Sequence, residues 1–177
     1  MIITISGKAG SGKTTVGRKL AERLNYDFLS VGEIRRRIAE SLNLSINEFN
    51  ELSKVRKEYD TMVDDYQKKL QGNIVLDSRL GFFFHPESVK LFVDVDFDVA
   101  VNRIYNDKRS TEQYFSVEDA KKYIQMRDYE DRDRLKSLYG VDFLDLKNYD
   151  LVLNSSNKTP EQLVDEIVNF LKTRNFL

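Results

Sequence analysis

Gly7-Lys8-Ala9-Gly10-Ser11-Gly12-Lys13-Thr14 stands between a short apolar run, Ile2-Ile3-Thr4-Ile5, and an amphipathic run that carries Val16, Leu20, Ala21 and Leu24. Strand, glycine loop, Gly-Lys-Thr and helix in that order make the Walker A phosphate-binding signature. The glycines let the loop turn successive N–H groups inward as an anion-binding nest. The helix that follows places its positive dipole end beneath the same phosphates. Lys13 supplies a mobile cation for the β- and γ-phosphates, and the Thr14 hydroxyl can ligate Mg²⁺. The whole run from Gly7 to Thr14, extended to Thr15, is the expected nucleotide-binding set: Gly7, Lys8, Ala9, Gly10, Ser11, Gly12, Lys13, Thr14 and Thr15. A chance match to this pattern would turn up in well under about one chain in a hundred of this length.

The composition narrows what surrounds that loop. At 177 residues one domain with a substantial core is the simplest organisation. Hydrophobic residues make up 41% and charged residues 32%, which suits a globular chain with a well-charged surface. A net charge of −1 argues against a general nucleic-acid binder. With no cysteine, thiol catalysis, disulfides and thiolate metal sites are excluded, and a single histidine excludes a multi-histidine metal site. The first strand starts at Met1 or Ile2, so no signal peptide is expected, and no apolar run approaches the roughly 20 residues that span a bilayer. The expectation is a cytoplasmic monomer.

Five strands and a set of helices alternate along the chain. Strands are expected at 2–5, 27–29, 74–77, 89–95 and 149–153. The first helix should span 13–24; the next, 32–42, carries Ile34, Ile38 and Leu42 on one face. Ser45 and Glu48 form a capping box for a helix that carries Phe49, Leu52, Tyr59, Met62, Tyr66 and Leu70, with a break near Ser53 and a stop at Gly72. Asp96 caps a helix with Ala100 and Ile104. Ser116 and Asp119 cap a long one over 117–138 with Gly140 past its end, and Thr159-Pro160-Glu161-Gln162 starts the last. Strands alternating with helices imply a parallel sheet covered on both faces, whose ligands sit at the carboxyl ends of the strands. The glycine loop, the turn at Ser30 and Asp77-Ser78-Arg79 should therefore share one crevice.

A phosphate loop by itself gives a nucleotide and no reaction. Arg35 follows the second strand by one helical turn and Arg79 sits just past the third, where a guanidinium fork would match a second anionic guest. A salt bridge is the alternative for each. In the long helix, Asp131 falls inside the apolar stripe of Val117, Ala120, Ile124, Leu135 and Leu138, and Arg127 and Arg134 lie along one edge of it. A carboxylate there is costly unless a cation or a ligand hydroxyl satisfies it. An Arg127–Asp131 pair at i, i+4 would explain the spacing but contribute only a few tenths of a kcal/mol. Arg103, Lys108 and Arg109 lie in or beside a polar connection at 105–115 that could close over a transferring phosphoryl group, or could simply be a solvated charged loop.

With these residues in view, the chain resembles the cytidylate kinases, especially the short archaeal-type form. The likeness is carried by Ile3-Thr4-Ile5-Ser6-Gly7, Leu29-Ser30-Val31-Gly32-Glu33-Ile34, Val75-Leu76-Asp77-Ser78-Arg79-Leu80, the run from Arg127 to Arg134, and Asp150-Leu151-Val152-Leu153-Asn154-Ser155-Ser156. The resemblance implies an α/β, three-layer P-loop fold with a five-stranded parallel sheet, a helical acceptor-binding part at about 32–72 and a lid near 105–115. It implies that Ser30, Arg35, Arg79 and Arg134 hold the phosphate of a monophosphate acceptor and that Arg127 and Asp131 hold its ribose hydroxyls. The segment at Ser155-Ser156-Asn157 would pack near the donor adenine. The reaction implied is ATP plus CMP giving ADP plus CDP. Lys13, Arg79, Arg103 and Arg134 are the candidate catalytic groups, Thr14 would ligate Mg²⁺, and Asp77 is a candidate for a Mg²⁺-bound water, with a strand-end hydrogen-bonding residue as the alternative. The bacterial form has Gly-Arg-Asp where this chain has Ser78-Arg79-Leu80, so the aspartate expected to read the cytosine amino group is missing. The short form lacks it too. Gly81-Phe82-Phe83-Phe84-His85-Pro86 reads as core, with a stacking wall for a base as the alternative; His85 reads as structural or exposed. Two other functions stay open: a P-loop kinase of a small metabolite with a hydroxyl acceptor, in which Asp77 would act as base, and a nucleotide-binding regulatory module without turnover.

Overall fold

The computed structural model describes residues 1–106 and 116–177. The chain runs β1 (Ile2–Gly7), α1 (Lys13–Leu24), β2 (Asp27–Ser30), α2 (Val31–Ser41), α3 (Ile46–Val55), α4 (Lys57–Lys68), β3 (Ile74–Asp77), α5 (Gly81–Phe84), β4 (Val89–Asp94), α6 (Phe97–Tyr105), α7 (Val117–Tyr139), a 3₁₀ turn (Leu146–Asn148), β5 (Leu151–Asn154) and α8 (Pro160–Thr173). The five strands form one parallel sheet in the order β2-β3-β1-β4-β5.

β1 is central, and its side chains divide between two helical layers by the two-residue period of a strand. Ile3 and Ile5 join Val16, Leu20 and Ala21 of α1 and Leu163, Ile167 and Leu171 of α8 in one core cluster. Each fully buried Ile or Leu contributes roughly 1.5–3 kcal/mol. Thr4 and Ser6 are equally buried on the other face, where Thr4 Oγ1 bonds Ser88 Oγ at 3.1 Å. That face is covered by Ile34, Phe49 and Val63 of α2–α4 over β3. Leu80, Phe82, Leu135 and Phe143 form a further cluster.

The register aligns the functional ends. Ile5 pairs with Asp77, Ser30 pairs with Asp77, and Gly7 pairs with Val93, so the glycine loop, Ser30 and Asp77 end on one edge of the sheet. The caps at Ser45–Glu48, Ser116–Asp119 and Thr159–Gln162 all form.

Several boundaries differ from expectation for local reasons. The break after α3 falls at Arg56, whose φ of −132° and ψ of 105° are extended, while Ser53 stays inside the helix with its Oγ donating to the Phe49 carbonyl. The helix that follows ends at Lys68, short of Gly72. Tyr149 ends a 3₁₀ turn, and its hydroxyl donates to the Phe143 carbonyl (2.7 Å), so β5 starts only at Leu151. Asp96 occupies the cap position of α6 without a side-chain cap; its backbone N–H donates to Ser156 Oγ instead. The aromatic stretch forms α5. Phe82 is buried and Phe83 is 41% exposed. His85 is buried, with Nε2 2.9 Å from the Gln67 carbonyl. The expected lid, apart from Tyr105 and Asn106, lies outside the described residues, as do Lys108 and Arg109. Among the described residues no helix is long and apolar enough to cross a membrane.

Candidate active site

α2, α3, α7 and α8 each begin with a side-chain cap; α1, like α4, α5 and α6, does not, but it alone starts from the glycine loop, at Gly12. Its first N–H groups are therefore left for a guest, as an anion site at a helix start requires. Gly10 holds the loop against α6: its φ is 74°, and a Cβ there would lie 2.9 Å from the Ala100 Cβ. Three charged side chains brace the loop from outside. Lys8 pairs with Asp94 at the end of β4 (2.7 Å). Arg103 donates to the Gly10 carbonyl (3.4 Å), to Ser155 Oγ (3.0 Å) and to the Ser155 carbonyl (2.6 Å). Asp128 of α7 accepts from the Ala9 N–H at 3.2 Å. Inside the loop the Ser11 hydroxyl is buried and has no hydrogen-bond partner among the described residues. Exposed Thr15 borders, with Gly12, Arg103, Ser155 and Lys158, a concavity of about 170 Å³ beside the loop.

Lys13 and Thr14 open α1 at the mouth of this cradle. Thr14 Oγ1 donates to Asp77 Oδ2 (2.5 Å), which brings together the two candidates for a hard divalent cation. Lys13 faces Asp77, Arg79, Arg127 and Asp128; burial lowers its pKa, and Asp77 opposes that fall.

Across the crevice the arginines are held in a carboxylate lattice. Arg79 donates to Asp128 Oδ1 (3.1 Å), pairs with Asp131, and lies 5.0 Å over the Phe143 ring. Burial, and then Arg127, pull its pKa down to about 10, so it stays a cation at neutral pH. Arg35 donates to Asn50 (3.1 Å), Ser53 (2.8 Å) and Asp60 (3.0 Å). Arg134 donates to the other oxygen of Asp60 (3.1 Å) and pairs with Asp131 (3.5 Å). Ser30 Oγ accepts from the Glu33 N–H as the cap of α2, which leaves its hydroxyl proton available to donate. Arg127 is exposed and donates to the Tyr123 hydroxyl (2.5 Å).

The expected sites thus converge on one crevice, with changes in detail. The Arg127–Asp131 pair does not form; Asp131 reaches across to Arg79, which satisfies the carboxylate on the apolar side of α7. Arg103 is tied to the loop and to Ser155. Two residues escaped the sequence reading. Asp60 is buried and joins Arg35 to Arg134, and Asp128 joins the loop to Arg79. Both carried a signal: Asp60 shares the face of Val63 and Gln67, and Asp128 lies between Ile124 and Leu135 on the buried stripe.

A Walker A loop on a central strand, a parallel sheet in this order and a second cationic site across the crevice define a P-loop kinase fold. The chain superposes on the shikimate kinase of Aquifex aeolicus with a TM-score of 0.65 at 22% identity, covering 99% of this chain and 98% of that one. Residues 2–157 match the model of the cytidylate kinase-like family, and the chain belongs to that family. It is 34% identical to the cytidylate kinase of Pyrococcus horikoshii over 91% of this chain and 83% of that protein. It is also 38% identical, over 98% of its length, to the S-adenosylmethionine-dependent nucleotide dehydratase of Lacinutrix mariniflava, a longer protein of which it spans 36%.

Proposed function

We propose that the chain transfers the γ-phosphoryl group of ATP to a nucleoside monophosphate, with CMP or dCMP as the preferred acceptor. The observation that carries this reading is Asp128. One carboxylate touches the Ala9 N–H of the donor cradle (3.2 Å) and Arg79 of the acceptor side (3.1 Å). The two anion sites are therefore one carboxylate apart, close enough for a phosphoryl group to pass between guests held in both. The relatives named as cytidylate kinases support a nucleotide acceptor.

An acceptor phosphate oxygen is already anionic near neutral pH, so the transfer needs no general base. Catalysis is then positioning and charge neutralisation along an in-line path. The amides of the loop and Lys13 take the donor phosphates. Arg79, with Arg35, Arg134 and Ser30, takes the acceptor phosphate, and Arg127 and Asp131 take the ribose end. Arg103 keeps the loop and the Ser155 turn together beside the donor base. The Thr14 hydroxyl and Asp77 carboxylate are hard oxygen donors in contact, and they fit Mg²⁺, which when bound neutralises charge on the donor phosphates. The charged lattice needs no second subunit, and a monomer suffices.

A coupled ADP-release assay over a panel of nucleoside monophosphates and small hydroxyl metabolites tests the reading. Turnover is expected with CMP and dCMP; nucleotide retained with no transfer to any acceptor would leave a binding module. Asp77→Asn separates the acceptor classes. It is expected to slow turnover in a way that added Mg²⁺ partly restores. A near-complete loss restored by raised pH, and not by Mg²⁺, would assign Asp77 as the base of a hydroxyl-acceptor kinase.

A further inference from the structure

Four carboxylates line the facing sides of α4 and α7. Asp60, Asp128 and Asp131 are each committed to arginine. Asp64 is different. It accepts from the Tyr139 hydroxyl through Oδ2, and its Oδ1 has no hydrogen-bond partner among the described residues. It lies four residues beyond Asp60, about 6 Å along the helix, and so one turn from the Arg35–Asp60–Arg134 link. Its other neighbour on that face, Gln67, accepts from Ser78 Oγ (2.6 Å), the residue before Arg79. The row Asp60, Asp64, Gln67 thus spans from the Arg35 and Arg134 side of the cleft to the segment that carries Arg79.

The same spot is walled by aromatic rings. Tyr139 lies 5.8 Å from both Phe83 and Phe84, and Phe83 is 41% exposed. Leu80, next to Arg79, is buried in an apolar cluster and offers no acceptor. We propose that Asp64 and Tyr139, beside the Phe83 ring, form the base end of the acceptor cleft and select cytosine over uracil. This rests on the nucleoside monophosphate reading above. The chemistry follows from the base edges. Cytosine presents an exocyclic amino donor, which the free oxygen of Asp64 can accept, whereas uracil presents a carbonyl oxygen there and sets two acceptors against each other. A planar base can stack on the exposed phenyl face. The partly buried carboxylate, whose pKa burial raises, and the phenol, whose pKa burial and Asp64 raise, belong to a polar pair set in a poorly solvated place.

The experiment is the ratio of kcat/KM for CMP and UMP in the wild type, Asp64→Asn and Tyr139→Phe. The wild type is expected to prefer CMP by about 100-fold or more. Asp64→Asn replaces an acceptor by an amide that can donate to the uracil carbonyl, so the ratio should fall at least about tenfold, with UMP gaining in absolute terms and the KM for ATP unchanged. Tyr139→Phe keeps the packing and should move the ratio the same way, so it carries the test if Asp64→Asn fails to fold. Equal use of CMP and UMP by the wild type, or a ratio unmoved by both substitutions, overturns the inference and leaves the kinase reading standing. A wild type that phosphorylates no nucleoside monophosphate overturns that reading first.

Discussion

Lys13→Ala is expected to lower kcat by about 10²–10³-fold, as loss of one preorganised charge on a developing phosphoryl anion does. The fold should survive. Lys13 opens α1 through its backbone, and no hydrogen bond or ion pair to its ammonium is found among the described residues. The loop's shape comes from elsewhere: Gly10 against α6, Lys8 on Asp94, and Arg103 on the Gly10 carbonyl. Burial lowers the pKa of Lys13, so the free chain gains little from holding that charge there, and its removal should leave the thermal midpoint within a few degrees. The measurement is single-turnover phosphoryl transfer beside nucleotide affinity. A rate within tenfold of wild type would mean that the phosphates meet a different cation.

Arg79→Ala should act on the other guest. It is expected to raise the acceptor KM about 100-fold or more and to change the donor KM far less. It also has a structural cost. Arg79 is held between Asp128 and Asp131 and lies over Phe143, with its side chain 15% exposed. Removing one partner of a buried ion set costs about 3–5 kcal/mol when nothing replaces it. Here the loss should fall below that, because Asp131 keeps Arg134 and Asp128 keeps the Ala9 N–H. Arg79→Lys separates the two effects: it restores a charge between the carboxylates, and so stability, but lacks the planar fork and should leave the acceptor KM high. Steady-state kinetics with both guests varied, alongside thermal unfolding, gives the answer. An unchanged acceptor KM in Arg79→Ala would remove the acceptor side as drawn.

The two halves of the crevice were not equally readable. The donor cradle is nearly all local. Gly7 to Thr14 lie next to one another in sequence, and their backbone geometry, helix start and cation follow from residue type alone. The acceptor side is assembled from Ser30 and Arg35 of one segment, Asp60 of another, Arg79 of a third and α7 of a fourth. Periodicity placed Asp131 on the apolar side of α7 and so demanded a cation for it. It could not say that the cation would be Arg79, since an i, i+4 partner, Arg127, was closer along the chain. Asp60 and Asp128 went unread because a single carboxylate on an otherwise apolar face looks like an edge residue until the opposite helix is in place.

The amino-acid order alone thus set the phosphate loop, the five strands and most helix caps, because each depends on neighbours within a few residues; the alternation of strands with helices implied their shared carboxyl edge. The three-dimensional packing decided which charges meet. Asp60 and Arg134 lie 74 residues apart, and Asp128 and Ala9 lie 119 apart. A carboxylate's need for a cation is written in its burial pattern, but the identity of the partner is fixed only when the sheet brings distant helices within hydrogen-bond reach of one another.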